Sequence, residues 1–151
     1  MRASSKDQEV AMARIIWQLV VLVICLILIV GRAFAETQAD RAEVLLNELS
    51  VCAAFFTISI GRFSQDSNPD VREGALAASE GLDLVTGMSR FLARDILHND
   101  AVAYARFSAA VKHVQEEVGD NYANFNAVAD KYLPGCIALM RDPLQTLNGR
   151  I

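Results

Sequence analysis

Leu45 to Phe63 reads LLNELSVCAAFFTISIGRF. Leu45, Leu49, Cys52, Phe56, Ile60 and Phe63 recur at spacings of three and four, which places them on one face of a helix. A strand would need apolar and polar residues to alternate, and no part of the chain alternates long enough to build a sheet. The helix reaches back to about Thr37. It stops at Ser64-Gln65-Asp66-Ser67-Asn68-Pro69, a polar loop with proline at or near the next helix start.

Downstream the same period returns three times. From about Pro69 to Leu97 the stripe is Val71, Ala75, Ala78, Leu82, Val85, Met88, Leu92 and Ile96. Gly74, Gly81 and Gly87 sit inside it. Each costs about 1 kcal/mol relative to alanine in a helix interior, so two of them are expected to admit a close neighbour or a bend. Asn99 or Asp100 then caps a third helix with the stripe Ala103, Phe107, Val111, Val114 and Val118, ending at Gly119-Asp120-Asn121. The fourth begins near Asn121 and continues through Phe125, Ala129, Tyr132, Cys136 and Leu139. Proline inside a helix removes a hydrogen bond and crowds the preceding turn, so a kink or break is expected at Pro134-Gly135. Asp142-Pro143 marks another boundary, and residues 144–151 read as a short tail. Four amphipathic helices with short connections predict an all-α, antiparallel four-helix bundle.

Upstream the chain changes character. Ile15 to Val30 is IIWQLVVLVICLILIV, 16 residues without a charge. This run explains much of the 53% hydrophobic content and the positive mean hydropathy of +0.26, so fold reasoning begins after it. The head before it carries Arg2, Lys6 and Arg14 against Asp7 and Glu9. Gly31-Arg32 and then Ala33-Phe34-Ala35 precede Glu36. Signal peptidases accept small side chains at the third and first positions before the cut. Ala33 and Ala35 satisfy that, so residues 1–35 are expected to be a signal peptide and 36–151 the mature domain. The competing reading keeps residues 15–30 as a membrane anchor, although the run is short beside the about 20 residues that usually span a bilayer. Under both, the basic head stays in the cytoplasm and the domain faces the periplasm or the extracellular space.

Loss of the first 35 residues removes Cys25 and leaves Cys52 and Cys136, an even count in an oxidising compartment. In an up-down-up-down bundle the first and fourth helices are neighbours. Cys52 and Cys136 each lie 15 residues after Thr37 and Asn121, the starts of their helices. At 1.5 Å per residue each is roughly 22 Å along a helix of about 39 Å, so their heights differ by roughly one turn. Both lie on apolar stripes, and a disulfide between them is expected. The absence of Cys-x-x-Cys argues against a redox-active pair.

The remaining chemistry is mostly excluded. Without Arg2, Lys6, Arg14, Arg32, Asp7 and Glu9, ten basic and sixteen acidic residues remain, a net charge of −6. The basic residues do not cluster, which argues against nucleic acid. His98 and His113 are the only histidines, and position 95 or 110, three before each, is Asp95 or Ala110 rather than glutamate. Surface histidines, not metal ligands, are expected. Cys-x-x-Cys-His is absent, so haem would have to be held non-covalently by His and Met, such as His113 with Met88 or Met140, and those methionines fit the core equally well. There is no Gly-x-Ser-x-Gly and no phosphate loop. Glu116-Glu117 reads as a solvated face. Arg90 and Arg94 could grip an anion, but Asp83 and Asp95 are simpler partners. Phe55 and Phe56 cannot both face one core line. With Tyr104, Tyr122 and Tyr132 they are expected to fill the core or to line a patch for a partner.

No catalytic, cofactor-binding or metal-binding set emerges. The expected function is a non-enzymatic, exported module that binds a partner protein or a small apolar ligand. The alternative is a single-pass accessory subunit of a membrane complex that retains residues 15–30.

Overall fold

The computed structural model describes residues 5–151. The first four residues of the basic head lie outside it, as do the side chains of Ala33, Ala35 and Glu36 at the expected cleavage point. Every regular element among the described residues is helical, and none is a strand. The elements are α1 (Ser5–Phe63), α2 (Pro69–Phe91), a π-helical turn (Leu92–Ile96), α3 (Asp100–Val118), a 3₁₀ turn (Asp120–Tyr122), α4 (Phe125–Met140) and α5 (Pro143–Arg150). The chain forms two compact units, 1–38 and 39–151.

In the first unit, Trp17, Leu19 to Ile24 and Ile27 are all exposed, by 42% to 73%. Exposed apolar side chains are therefore the main feature of its described surface, with Gln18 the polar exception.

The second unit has a single core. Its α1 residues are Ala42, Leu45, Leu46, Leu49 and all five from Cys52 to Phe56. At 100° per residue, five consecutive buried positions go round the helix more than once. α1 is therefore covered on every side at this level. By length and composition, Thr37–Phe63 would also suffice to cross a membrane, yet its apolar side chains are what the other helices pack against. Ser50 and Ser59 are buried with them. Each donates its hydroxyl to the carbonyl four residues earlier, Leu46 at 2.7 Å and Phe55 at 2.8 Å, so neither costs an unpaired polar group.

α2 contributes Ala78, Val85 and Met88, α3 contributes Ala110, Val114 and Val118, and α4 contributes Phe125, Val128, Cys136 and Leu139. A fully buried side chain of Leu, Val or Phe size stabilises by about 1.5–3 kcal/mol, so this shared core is what holds the helices together. Two glycines set the approach of α2. A Cβ on Gly81 would lie 3.0 Å from the Phe56 ring, and one on Gly74 would lie 3.3 Å from Phe63, whereas Gly87 faces open space. The partners run in opposite order: Phe63 with Gly74 and Phe56 with Gly81 for α2, Phe63 with Phe125 and Cys52 with Cys136 for α4.

Local signals act where the sequence places them, with some differences. Asn68 caps α2, accepting from the Asp70 amide at 3.0 Å, with Pro69 in the first turn. Gly119 ends α3 at φ 72° and ψ 179°, a conformation open essentially to glycine alone. Asn99 occupies the cap position of α3 but makes no side-chain cap bond. The second helix does not stay α-helical to Leu97. It widens into the π turn, where the Leu97 amide reaches the Leu92 carbonyl at 2.9 Å while Leu92 and Ala93 stay buried. Pro134 does not break α4. Pro134 and Asp130, whose carbonyl loses its partner, are both exposed, so water can satisfy it. Residues 143–150 are not an irregular tail. Asp142 accepts from the Gln145 amide at 2.9 Å and starts α5.

Candidate functional site

The two cysteines of the second unit come together. Cys52 on α1 and Cys136 on α4 lie at disulfide distance, with Cα atoms 5.5 Å apart and 84 residues between them in sequence. Both are buried. They line a groove of about 570 Å³ bounded by α1, α4 and α5. Val51, Leu139 and the cysteine pair supply its apolar lining, Tyr132 adds an aromatic face, and Glu48, Lys131, Thr146 and Arg150 supply its polar edge.

That polar edge is neutralised from within. Arg150 donates twice to Glu48, at 2.6 and 2.8 Å, joining α5 to α1. The hydrogen bond to Glu48 raises the Arg150 guanidinium pKa, against a smaller opposing effect of burial. Lys131 donates to both oxygens of Glu117, at 2.7 and 2.9 Å, and lies 4.7 Å from the centre of the Tyr132 ring. Tyr132 donates its hydroxyl to the same carboxylate at 3.0 Å, and His113 approaches it at 3.1 Å. The hydrogen bond from Lys131 is the main reason that the Glu117 pKa falls below the usual glutamate range. Burial opposes the fall, and Tyr132 adds to it. Lys131 is raised in turn, chiefly by its bond to Glu117. Both cations of the groove thus face carboxylates of their own chain. An apolar lining with a self-satisfied edge favours an uncharged, apolar occupant.

The other residues singled out in the sequence are spread over the fold. His98 and His113 are exposed, and Met88 lies in the core. Among the described residues no group of three or more His, Cys, Asp or Glu side chains converges as a metal site would. Arg94 pairs with Asp95 through two contacts of 3.1 Å and not with Asp83, and Arg90 is in no ion pair among the described residues. Phe55 and Phe56 are both buried, which α1 permits because it is surrounded. Phe56 faces Gly81 of α2, while the Phe55 ring lies 6.2 Å from Phe125 and 6.4 Å from Tyr132 on α4. Tyr122 joins this group beside Phe125, whereas Tyr104 stands apart, 75% exposed. The Glu48–Arg150 and Glu117–Lys131 pairs had no sequence signal, because nothing local links residues 102 or 14 positions apart.

Compared with known protein families, characterised proteins and solved structures, the chain matches none.

Proposed function

We propose that residues 36–151 form an exported, non-enzymatic binding module, an antiparallel four-helix bundle whose disulfide-lined groove receives a partner's apolar side chain or a small apolar ligand. The observation that carries this is the groove itself, with its apolar lining and a charged edge already paired within the chain. The opposed order of the contacts that α2 and α4 make with α1 supports the bundle, as do the short connections between helices. The cysteine pair supports export, since such bonds persist in oxidising compartments. A neutral fluorophore, N-phenyl-1-naphthylamine, tests the groove. Ala138 lines it and is exposed, so Ala138→Trp should fill it without unfolding the domain. Enhanced fluorescence with the wild-type chain, lost in A138W at unchanged melting temperature, is expected. Equal enhancement by both would refute the assignment.

A second reading, the retained anchor of a membrane-complex subunit, draws on the backbone of α1. The helix continues through Ala33 and Ala35. Residues two apart in a helix point about 200° away from each other, so both alanines reach one side of a peptidase only if this turn unwinds. Intact mass from the native host, with and without reduction and alkylation, separates the two. A chain starting at Glu36 supports the soluble module, and a chain that keeps residues 1–35 supports the anchor.

A further inference from the structure

A second cavity, of about 320 Å³, lies between α1, α2 and α3. Its deep lining is small: Ser50 and Ala53 from α1 and Ser89 from α2, all buried. The hydroxyls of Ser50 and Ser89 are already donated to the carbonyls of Leu46 and Val85, at 2.7 and 2.8 Å. They offer no free donor, and with Ala53 and Ala103 they leave room rather than chemistry. Phe107, half-buried, and Tyr104, exposed, add aromatic surface from α3.

The chemistry comes from two opposite charges in the same lining. Arg90 comes from α2 and Asp100 from the first turn of α3. Among the described residues they do not bridge each other, and neither is in any other ion pair. Asp100 acts at longer range on Arg94, which is itself held by Asp95. Unlike the cations of the disulfide groove, Arg90 therefore has no carboxylate of its own. A guanidinium presents a planar fork suited to a carboxylate, and an aspartate accepts from an ammonium. A cavity carrying one of each beside apolar surface is complementary to a molecule that carries both charges and an apolar group. A dianion would meet Asp100, and a diamine would meet Arg90. The volume lies at the small end of ligand cavities, about 300–1,000 Å³, which suits a single amino acid better than a larger ligand.

We propose that this cavity binds an α-amino acid with an apolar side chain: Arg90 takes the carboxylate, Asp100 the ammonium, and Ala53, Ala103 and Phe107 the side chain. The inference rests on the binding-module reading and gives that module a second, chemically distinct ligand. The test is calorimetric titration of the full-length chain in detergent with L-phenylalanine, 3-phenylpropionate, which lacks the amine, and 2-phenylethylamine, which lacks the carboxylate. Saturable binding of L-phenylalanine is expected, with each analogue at least about tenfold weaker, the loss of one charge-assisted contact. In Arg90→Gln, L-phenylalanine should bind no better than 2-phenylethylamine does. In Asp100→Asn it should bind no better than 3-phenylpropionate does. Both positions are exposed, so folding should survive, which a thermal melt checks. Lack of saturation at millimolar L-phenylalanine, or equal binding of the three compounds, overturns the proposal. If naphthylamine binding in the disulfide groove persists, only this inference fails. If that also disappears, the module reading fails with it.

Discussion

Reduction of the cysteine pair is the most informative perturbation of this fold. A bond between Cys52 and Cys136 closes a loop across 84 residues. Loop-closure entropy for that length corresponds to about 4.5 kcal/mol at 25 °C, taken mostly from the unfolded chain. The unit that must melt is residues 39–151. At about 2.1 cal/mol/K per residue, its unfolding entropy is roughly 0.24 kcal/mol/K, so reduction should lower the melting temperature by roughly 19 °C. The assay is circular dichroism at the helix minimum during heating, with and without a phosphine reductant, followed by alkylation and mass analysis. Reduction keeps both sulfur atoms in the core, so it isolates the linkage. Replacing both cysteines by alanine should cost more, because it also leaves a cavity beside Tyr132 and Leu139. A drop of only a few degrees, or alkylation of Cys52 and Cys136 without reductant, would refute the reasoning.

Other expectations can be checked in the same preparation. Gly81→Ala should destabilise by about 1–2 kcal/mol in urea titration, because its Cβ would lie 3.0 Å from the Phe56 ring and overpacking outweighs the gain in helix propensity. Gly87→Ala meets nothing within 4 Å and should stabilise by about 0.5–1 kcal/mol in that titration. Gly119→Ala should cost about 1–3 kcal/mol, since φ 72° with ψ 179° strains any residue that carries a Cβ. The lowered pKa of Glu117 makes its contribution present above the ordinary glutamate range and lost as pH falls through the folded value. Glu117→Gln should therefore melt below wild type at neutral pH and converge with it in strong acid.

Much of this fold is legible because amphipathic helices announce themselves. The stripes of α2, α3 and α4 mark the faces that turn inward, from Val85 and Met88 to Val114 and Cys136. α1 is legible only in part. A stripe through Leu45, Leu49, Cys52 and Phe56 is real, but Ala53, Ala54 and Phe55 are buried as well, and periodicity carries no information about a stretch that is covered on every side, as residues 52–56 are. The π turn at residues 92–96 has no compositional cue. α5 is too short to show a period, although Asp142-Pro143 is an ordinary helix start. Of the groove, the cysteines were readable because both lie on apolar stripes of helices expected to be neighbours. Glu48 with Arg150 and Glu117 with Lys131 were not, because only the folded chain brings them together. Arg90 stood out beside Arg94, and the turn before Asp100 was readable, but nothing local in the sequence puts Arg90 and Asp100 in one cavity lining.

The bond between Glu48 and Arg150 has a topological consequence. Asp40, Arg41 and Val44 share a small cavity with Gly149 and Arg150, so the strand of chain that enters the domain and the one that finishes it lie side by side. The domain is in effect a ring cut at one point. A short linker from residue 151 to residue 39 would close that cut, and a new opening in the polar loop at residues 64–68 would leave every helix contact in place. Such a permuted chain should fold to the same core with its ends relocated, and the groove beside α5 would become part of an uninterrupted path of backbone.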